Sequence, residues 1–183
     1  MNIKELKAKV REGEEFDYLF FWGASPRRKG LIEEECFSQW YKAGFELYDD
    51  YYPTAEHFMM AEKAELFGDN EIREKILNTS SPSSAKKLGR KVRKFDEGKW
   101  RKHRFDIVVT GNLAKFSQNE VLREVLLNTG EAVLVEASPR DTIWGIGISK
   151  DQENAKDPRK WRGLNLLGFA LMEVRKQLSE ISD

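Results

Sequence analysis

Tyr52-Pro53-Thr54-Ala55-Glu56-His57-Phe58-Met59-Met60-Ala61-Glu62-Lys63-Ala64 is the stretch on which the chain turns from strand-like to helical. Pro53-Thr54 reads as a helix start with Thr54 as N-cap, and Gly68 as the stop after Phe67. Within that helix Glu56, Met60 and Lys63 fall at i, i+4 and i+7, so they share one face. A carboxylate and an ammonium on a largely apolar face are costly if buried without partners. Two readings follow: a partly exposed face whose charges are solvated, or a pocket that uses them.

Outward from this helix the pattern stays mostly helical. Toward the N-terminus, residues 37–48 hold aromatics at irregular spacing, with a strand near Phe45-Glu46-Leu47. Residues 24–36 read as a surface loop or short hairpin, and the aromatic-rich 16–22 as a strand. Residues 2–12 suggest a short helix, with Asn2 and Glu5 spaced as a capping box. Toward the C-terminus, helices fit 70–78 and a segment opened by Ser81-Pro82. A longer helix fits 97–117, with a break expected near Gly111, and another fits 119–129. Ala132 to Ala137 reads as a strand, 150–162 as polar loop, and 164–178 as an amphipathic helix. The sum is a helix-dominated α+β fold with a few short strands, in one domain over 1–183.

Bulk properties exclude several classes. Lys+Arg and Asp+Glu each number 31, so no net charge favours coating nucleic acid by bulk electrostatics. Hydrophobic residues make up 40% of the sequence, which indicates a globular chain. Cys36 is the lone cysteine, which fits a reducing compartment. With no signal-like stretch at the N-terminus and no long apolar run, the cytoplasm is the expected address and no membrane partner is expected. There is no P-loop and no Gly-x-Gly-x-x-Gly after a strand. Only His57 and His103 occur, without His-Glu-x-x-His, which argues against a metal site.

Two further clusters could carry chemistry. Glu136-Ala137-Ser138-Pro139-Arg140-Asp141-Thr142-Ile143-Trp144-Gly145-Ile146-Gly147 joins an acidic turn to a glycine-flanked indole. Glycines let backbone approach a ligand and an indole offers a stacking surface, but Trp144 could equally plug the core. Between Lys86 and Arg104 stand ten Lys or Arg against Asp96 and Glu97, with Phe95 and Trp100 interleaved. A run of this kind is commonly a solvated face; the alternative is phosphate or nucleotide binding near the helix start at Pro82.

Together these stretches resemble the NADAR (YbiA-like) family. Tyr52 to Ala64 is similar to its Tyr-Pro-Thr-x-Glu-His…Lys signature. Ser81-Pro82 with Ala85 to Arg90, Lys115 to Asn119 with Leu122-Arg123, Glu136 to Asp141 with Trp144-Gly145, and Asn165 to Gly168 resemble four further blocks. The blocks run in order over about 16–178, leaving 1–15 as an N-terminal extension. The 37–50 region and the 150–162 loop are longer than in the shorter bacterial members.

The resemblance implies the NADAR fold and an N-glycosidase that needs no cofactor. Its substrates would be early phosphorylated riboflavin intermediates, small phosphoribosyl metabolites cleaved to ribose 5-phosphate and a pyrimidine base. Relatives act on ADP-ribosylated guanine in nucleic acid, and a non-catalytic ADP-ribose-binding module is a third reading. The expected catalytic positions are Glu56, favoured to activate water, Asp141, its alternative, and Lys63. Expected substrate contacts are Trp144 and Gly145 at the base, with Trp22 or Trp100 beside them. Lys86, Arg90 and Lys115 are expected at phosphate on charge and placement, with Asn165 added from the closing block.

Overall fold

The computed structural model describes residues 1–25 and 32–181. Seven helices and four short strands appear among them. In order they are α1 (Ile3–Arg11), β1 (Tyr18–Phe21), β2 (Phe45–Leu47), β3 (Asp50–Tyr52), α2 (Ala55–Leu66), α3 (Asn70–Leu77), α4 (Pro82–Gly89), α5 (Glu97–Gln118), α6 (Glu120–Leu127), β4 (Val133–Glu136) and α7 (Leu166–Glu180). This is the helix-dominated α+β class expected from the sequence.

Local chemistry sets the helix starts. Asn2 and Glu5 form the capping box that opens α1. Thr54 accepts the His57 N–H and caps α2, and Ser81 caps α4 with Pro82 in its first turn. Gly68, at φ 68°, follows the last turn of α2 and ends it in the left-handed region that glycine tolerates.

Three expectations need correction. The break at Gly111 is absent: α5 runs unbroken through it. The glycine serves packing instead, because a Cβ there would lie 2.3 Å from Phe58 Cδ1 of α2. The 24–36 stretch is not all surface. Its residues 26–31 lie outside the described residues, but Glu34–Phe37 form a 3-10 turn that buries Cys36 and Phe37. The 150–162 loop holds two 3-10 turns, Glu153–Lys156 and Pro158–Lys160, anchored by buried Ala155 and Trp161.

The strands make two pairs. β2 and β3 form an antiparallel hairpin through Tyr48 and Asp49, both at positive φ, the backbone that a two-residue hairpin turn requires. β1 and β4 pair in parallel from Tyr18 opposite Val133 to Phe21 opposite Glu136. One core joins α2, α5 and α7 around Phe58, Phe116 and Leu171; a second gathers Leu6, Val133, Val135, Trp161 and Phe169. Leu134 faces the first and its neighbours the second. Apolar cores on both faces explain why β4 reads as a continuous apolar run rather than an alternating one.

Candidate active site

The carboxyl ends of β1 and β4 and the amino end of α2 converge on one cavity of about 640 Å³. Residues just past parallel strand ends are a common place for ligands, and the volume suits a nucleotide-sized molecule. Glu136 closes β4 opposite Phe21, and Trp22 follows directly after β1; both line the cavity. Glu56 enters from the first turn of α2, followed along the same face by Met59, Met60 and Lys63. Lys86 comes from α4 and Arg90 from its C-cap, and α4 lies so close to α2 that a Cβ at Gly89 would sit 2.0 Å from Met60 Sδ.

Glu56 is buried, and its Oε1 has no hydrogen-bond partner. Its backbone N–H donates to Gln39 O at 2.9 Å, pinning α2 to the segment that carries Trp40. Burial pushes the Glu56 carboxyl up to about 7; Lys86 and a hydrogen bond from the Trp40 side chain oppose that rise, and Asp141 adds to it. Glu136 is likewise raised, to about 8, by burial and then by Asp141, with Lys86 opposing and Glu56 adding. Its Oε2 is likewise buried and without a partner. A carboxyl held near neutrality in a cleft can give or take a proton there.

Asp141 builds the opposite wall. Its Oδ1 accepts the backbone N–H groups of Ile143 and Trp144, both at 2.8 Å, so the turn presents the Trp144 indole to the cavity. Gly145 lies behind this turn, where a Cβ would meet Glu136 O at 2.8 Å. The turn also caps α7: Ile143 O and Trp144 O accept the N–H groups of Leu166 and Leu167.

Of the expected site residues, Glu56, Lys63, Lys86, Arg90, Asp141, Trp144 and Trp22 line this cavity together. Four others do not. Trp100 is buried behind Lys63, whose ammonium lies 5.7 Å from its ring and 4.2 Å from that of Phe95. Burial lowers the Lys63 ammonium from its usual range. Gly145 shapes the wall without lining it. Lys115 is no phosphate contact: it is wholly buried, donating to Cys36 O at 2.6 Å and Ser38 O at 3.1 Å. Burial brings it down to about 8. Asn165, in the left-handed region at φ 53°, braces β4 from its unpaired edge. It accepts the Glu136 N–H and donates to Leu134 O, both at 2.9 Å.

The rest of the basic run turns elsewhere. Arg93 pairs with Asp69, Lys99 donates to Leu66 O, and Arg101 and Arg104 face Glu97.

Several lining residues were not among the expected site positions: Glu136, Ser38, Gln39, Trp40 and Arg140. Glu136 had a local clue, an acid closing an all-apolar strand. Gln39 and Trp40 had none, since long-range bonds place them. Among the described residues, the acids close enough to gather an ion are Glu33, Glu34 and Glu35, outside the cavity lining. No described helix is long and apolar enough to cross a membrane.

Comparison with known proteins fits this geometry. Residues 20–179 match the model of the NADAR domain. The chain is 46% identical to N-glycosidase R617 of Acanthamoeba polyphaga mimivirus, covering 87% of this chain and 95% of that one. It is 40% identical to protein irg-1 of Caenorhabditis elegans, over 81% and 78% of the two chains. Among solved structures, the NMR structure of the E. coli protein YbiA superposes with a TM-score of 0.71 at 29% identity, covering 92% of this chain and 89% of that one.

Proposed function

The chain belongs to the NADAR domain family, and from that premise we propose that its cavity hydrolyses N-glycosidic bonds of phosphorylated ribosides. The observation that carries the reading is Glu56, a buried carboxyl at about 7, set among Lys86, Arg90 and the Trp144 indole. Breaking a C1′–N bond builds positive charge on the ribose. Glu56 takes a proton from the attacking water and its charge stabilises that ribosyl cation. Lys86 and Arg90 hold the phosphate, Trp144 stacks on the flat base, and Lys63 adds cationic field at the rear wall. Asp141 has one oxygen committed to the Trp144 turn, which favours Glu56 over Asp141 as the water-activating group.

The substrates that fit are the phosphoribosylamino-pyrimidine intermediates of early riboflavin synthesis, yielding ribose 5-phosphate and free base. The names of relatives support the reaction class: R617, and YbiA of several enterobacteria, are N-glycosidases. A second reading has its own observation. Trp22 and Trp40 are 57% and 38% exposed at the mouth, beside Arg140. Such a surface is one on which a further base could stack. That favours ADP-ribosylated guanine in nucleic acid as substrate.

A parallel turnover assay separates the two, one arm offering the phosphoribosylamino-pyrimidines and the other an ADP-ribosylated guanine oligonucleotide. Free ribose phosphate in the first arm alone supports the first reading, and release of ADP-ribose in the second arm supports the other. Ligand binding without release in either arm would make the cavity a binding module. Glu56→Gln should reduce the active arm by roughly 10²–10⁴ while leaving the fold intact; full activity in a folded Glu56→Gln protein sinks the assignment.

A further inference from the structure

A nitrogen base leaves poorly as an anion, so the reaction proposed above needs a proton donor as well as a water activator. Cavity-lining groups that could give that proton are limited. Lys86 and Arg90 are cations assigned to phosphate, Lys63 lies against Phe95, and Asp141 holds the Trp144 turn. Glu136 remains.

We propose that Glu136 is the general acid of this site, giving its proton to the departing nitrogen while Glu56 takes one from water. The inference rests on the N-glycosidase reading and assigns a role within it. In the step, the C1′–N bond breaks and its electron pair stays with the base nitrogen. The Glu136 proton forms the new N–H, and a water oxygen forms the C1′–O bond as its proton passes to Glu56. Proton return from Glu56 to Glu136 through solvent restores the starting state.

The geometry is that of an anchored acid. Glu136 ends β4, opposite Phe21 of β1. Its N–H is held by Asn165 Oδ1 and its carbonyl accepts the Ile146 N–H at 2.9 Å, so the backbone is tied on both sides. The side chain is free of such ties: Oε2 is buried and without a partner. An unsatisfied buried carboxyl oxygen costs free energy in the resting protein, which a purely structural role leaves unexplained and a substrate contact removes.

Charges around it favour the assignment. It shares the cavity with Glu56 from α2, Asp141 and Arg140 from the 138–144 turn, Lys86 from α4 and Arg90 from the C-cap of α4. Two buried carboxyls and Asp141 disfavour full ionisation, so the site holds a proton near neutrality, as paired carboxyls do. Burial raises both carboxyls, but Lys86, Arg90 and the Trp40 side-chain donor favour the ionised form of Glu56, whereas Glu136 has Lys86 alone against the charges of Asp141 and Glu56, which suits Glu136 to hold the proton.

The test is the pH profile of kcat/KM on the substrate that turns over, for wild type, Glu136→Gln and Glu136→Asp. Wild type should show a bell, its descending limb reporting loss of the acid's proton. Glu136→Gln should lose roughly 10²–10⁴ in kcat and lose that limb; Glu136→Asp should recover part of the rate and keep it. A descending limb that persists in Glu136→Gln, or a loss under tenfold, overturns the proposal. So does a wild-type profile that stays flat to pH 10, a result that needs no variant to fold. Absence of turnover by wild type on either substrate would instead overturn the N-glycosidase reading itself.

Discussion

Gln39 can present its carboxamide to the cavity in one orientation only. Asn112 Nδ2 donates to Val108 O at 2.8 Å, and a backbone carbonyl can only accept, so the Asn112 amide is fixed. Its second hydrogen goes to Gln39 Oε1 at 2.9 Å. That leaves Gln39 Nε2 buried, without a partner, and on a residue that lines the cavity. A substrate oxygen would satisfy it. Gln39→Leu should therefore raise KM by roughly fivefold or more, the worth of about 1–3 kcal/mol for a buried donor, with kcat less affected. Steady-state kinetics check this, and an unchanged KM would show that Nε2 faces no substrate acceptor. None of this was legible in the sequence. Gln39 lies in a stretch without periodicity, and its partner Asn112 is 73 residues away. Lys115 failed for a related reason. Its charge was visible, but the carbonyls of Cys36 and Ser38 that bury it belong to a distant turn. Glu56, Lys63, Asp141 and Trp144 do line one cavity, but the helix face said only that Glu56 and Lys63 share a side; the family resemblance is what singled out all four.

At the scale of elements, what is local was readable and what is distant was not. The Thr54 cap, the Asn2–Glu5 box, Pro82 and the stop at Gly68 all act within a turn of helix, and each fell where the side-chain chemistry put it. The parallel pairing of β1 with β4 spans the chain and leaves no mark in strands of four residues. Gly111 shows the same divide. Propensity suggests a break, yet Phe58 of α2 occupies the space its missing Cβ leaves. The contact of α7 with β4 yields a prediction of this kind. A Cβ at Gly168 would lie 2.0 Å from Leu134 O and 2.5 Å from Asn165 Nδ2. In an ordinary helix Gly→Ala stabilises by up to ~1 kcal/mol. Here Gly168→Ala should destabilise by ~1–3 kcal/mol, because backbone and the Asn165 brace must move. It should also lower kcat through Glu136, whose N–H that brace holds. Chemical denaturation and steady-state kinetics on the same variant check both effects, and a stabilised, fully active protein would refute the packing argument.

For the molecule as a whole, the site weighs on stability through its protons. Glu56 and Glu136 both rise from an ordinary 4.5, to about 7 and about 8. Above pH 4.5 the unfolded chain releases these protons while the folded protein still holds them. The folded state then binds more protons, so stability falls as pH rises. The contribution of Glu136 is fully present below about 4.5 and is lost through the interval up to about 8, beyond which the deficit is constant. Lys115 acts the other way and later: brought down to about 8 from 10.5, it adds stability only as pH climbs between those values. The carboxyl effect therefore stands clear of it between pH 5 and 8. Glu136→Gln removes the titration while keeping the shape, so its melting temperature should match or trail wild type at pH 5 and exceed it at pH 8. With about 1.4 kcal/mol per pKa unit and roughly 2–4 °C per kcal/mol for a chain of this size, the change in that difference should be at least ~4 °C. Thermal melts of both proteins at pH 5, 6.5 and 8 measure it. A difference that does not grow with pH would mean that Glu136 enters the folded state already ionised, and the proton that the site needs would have to come from another group.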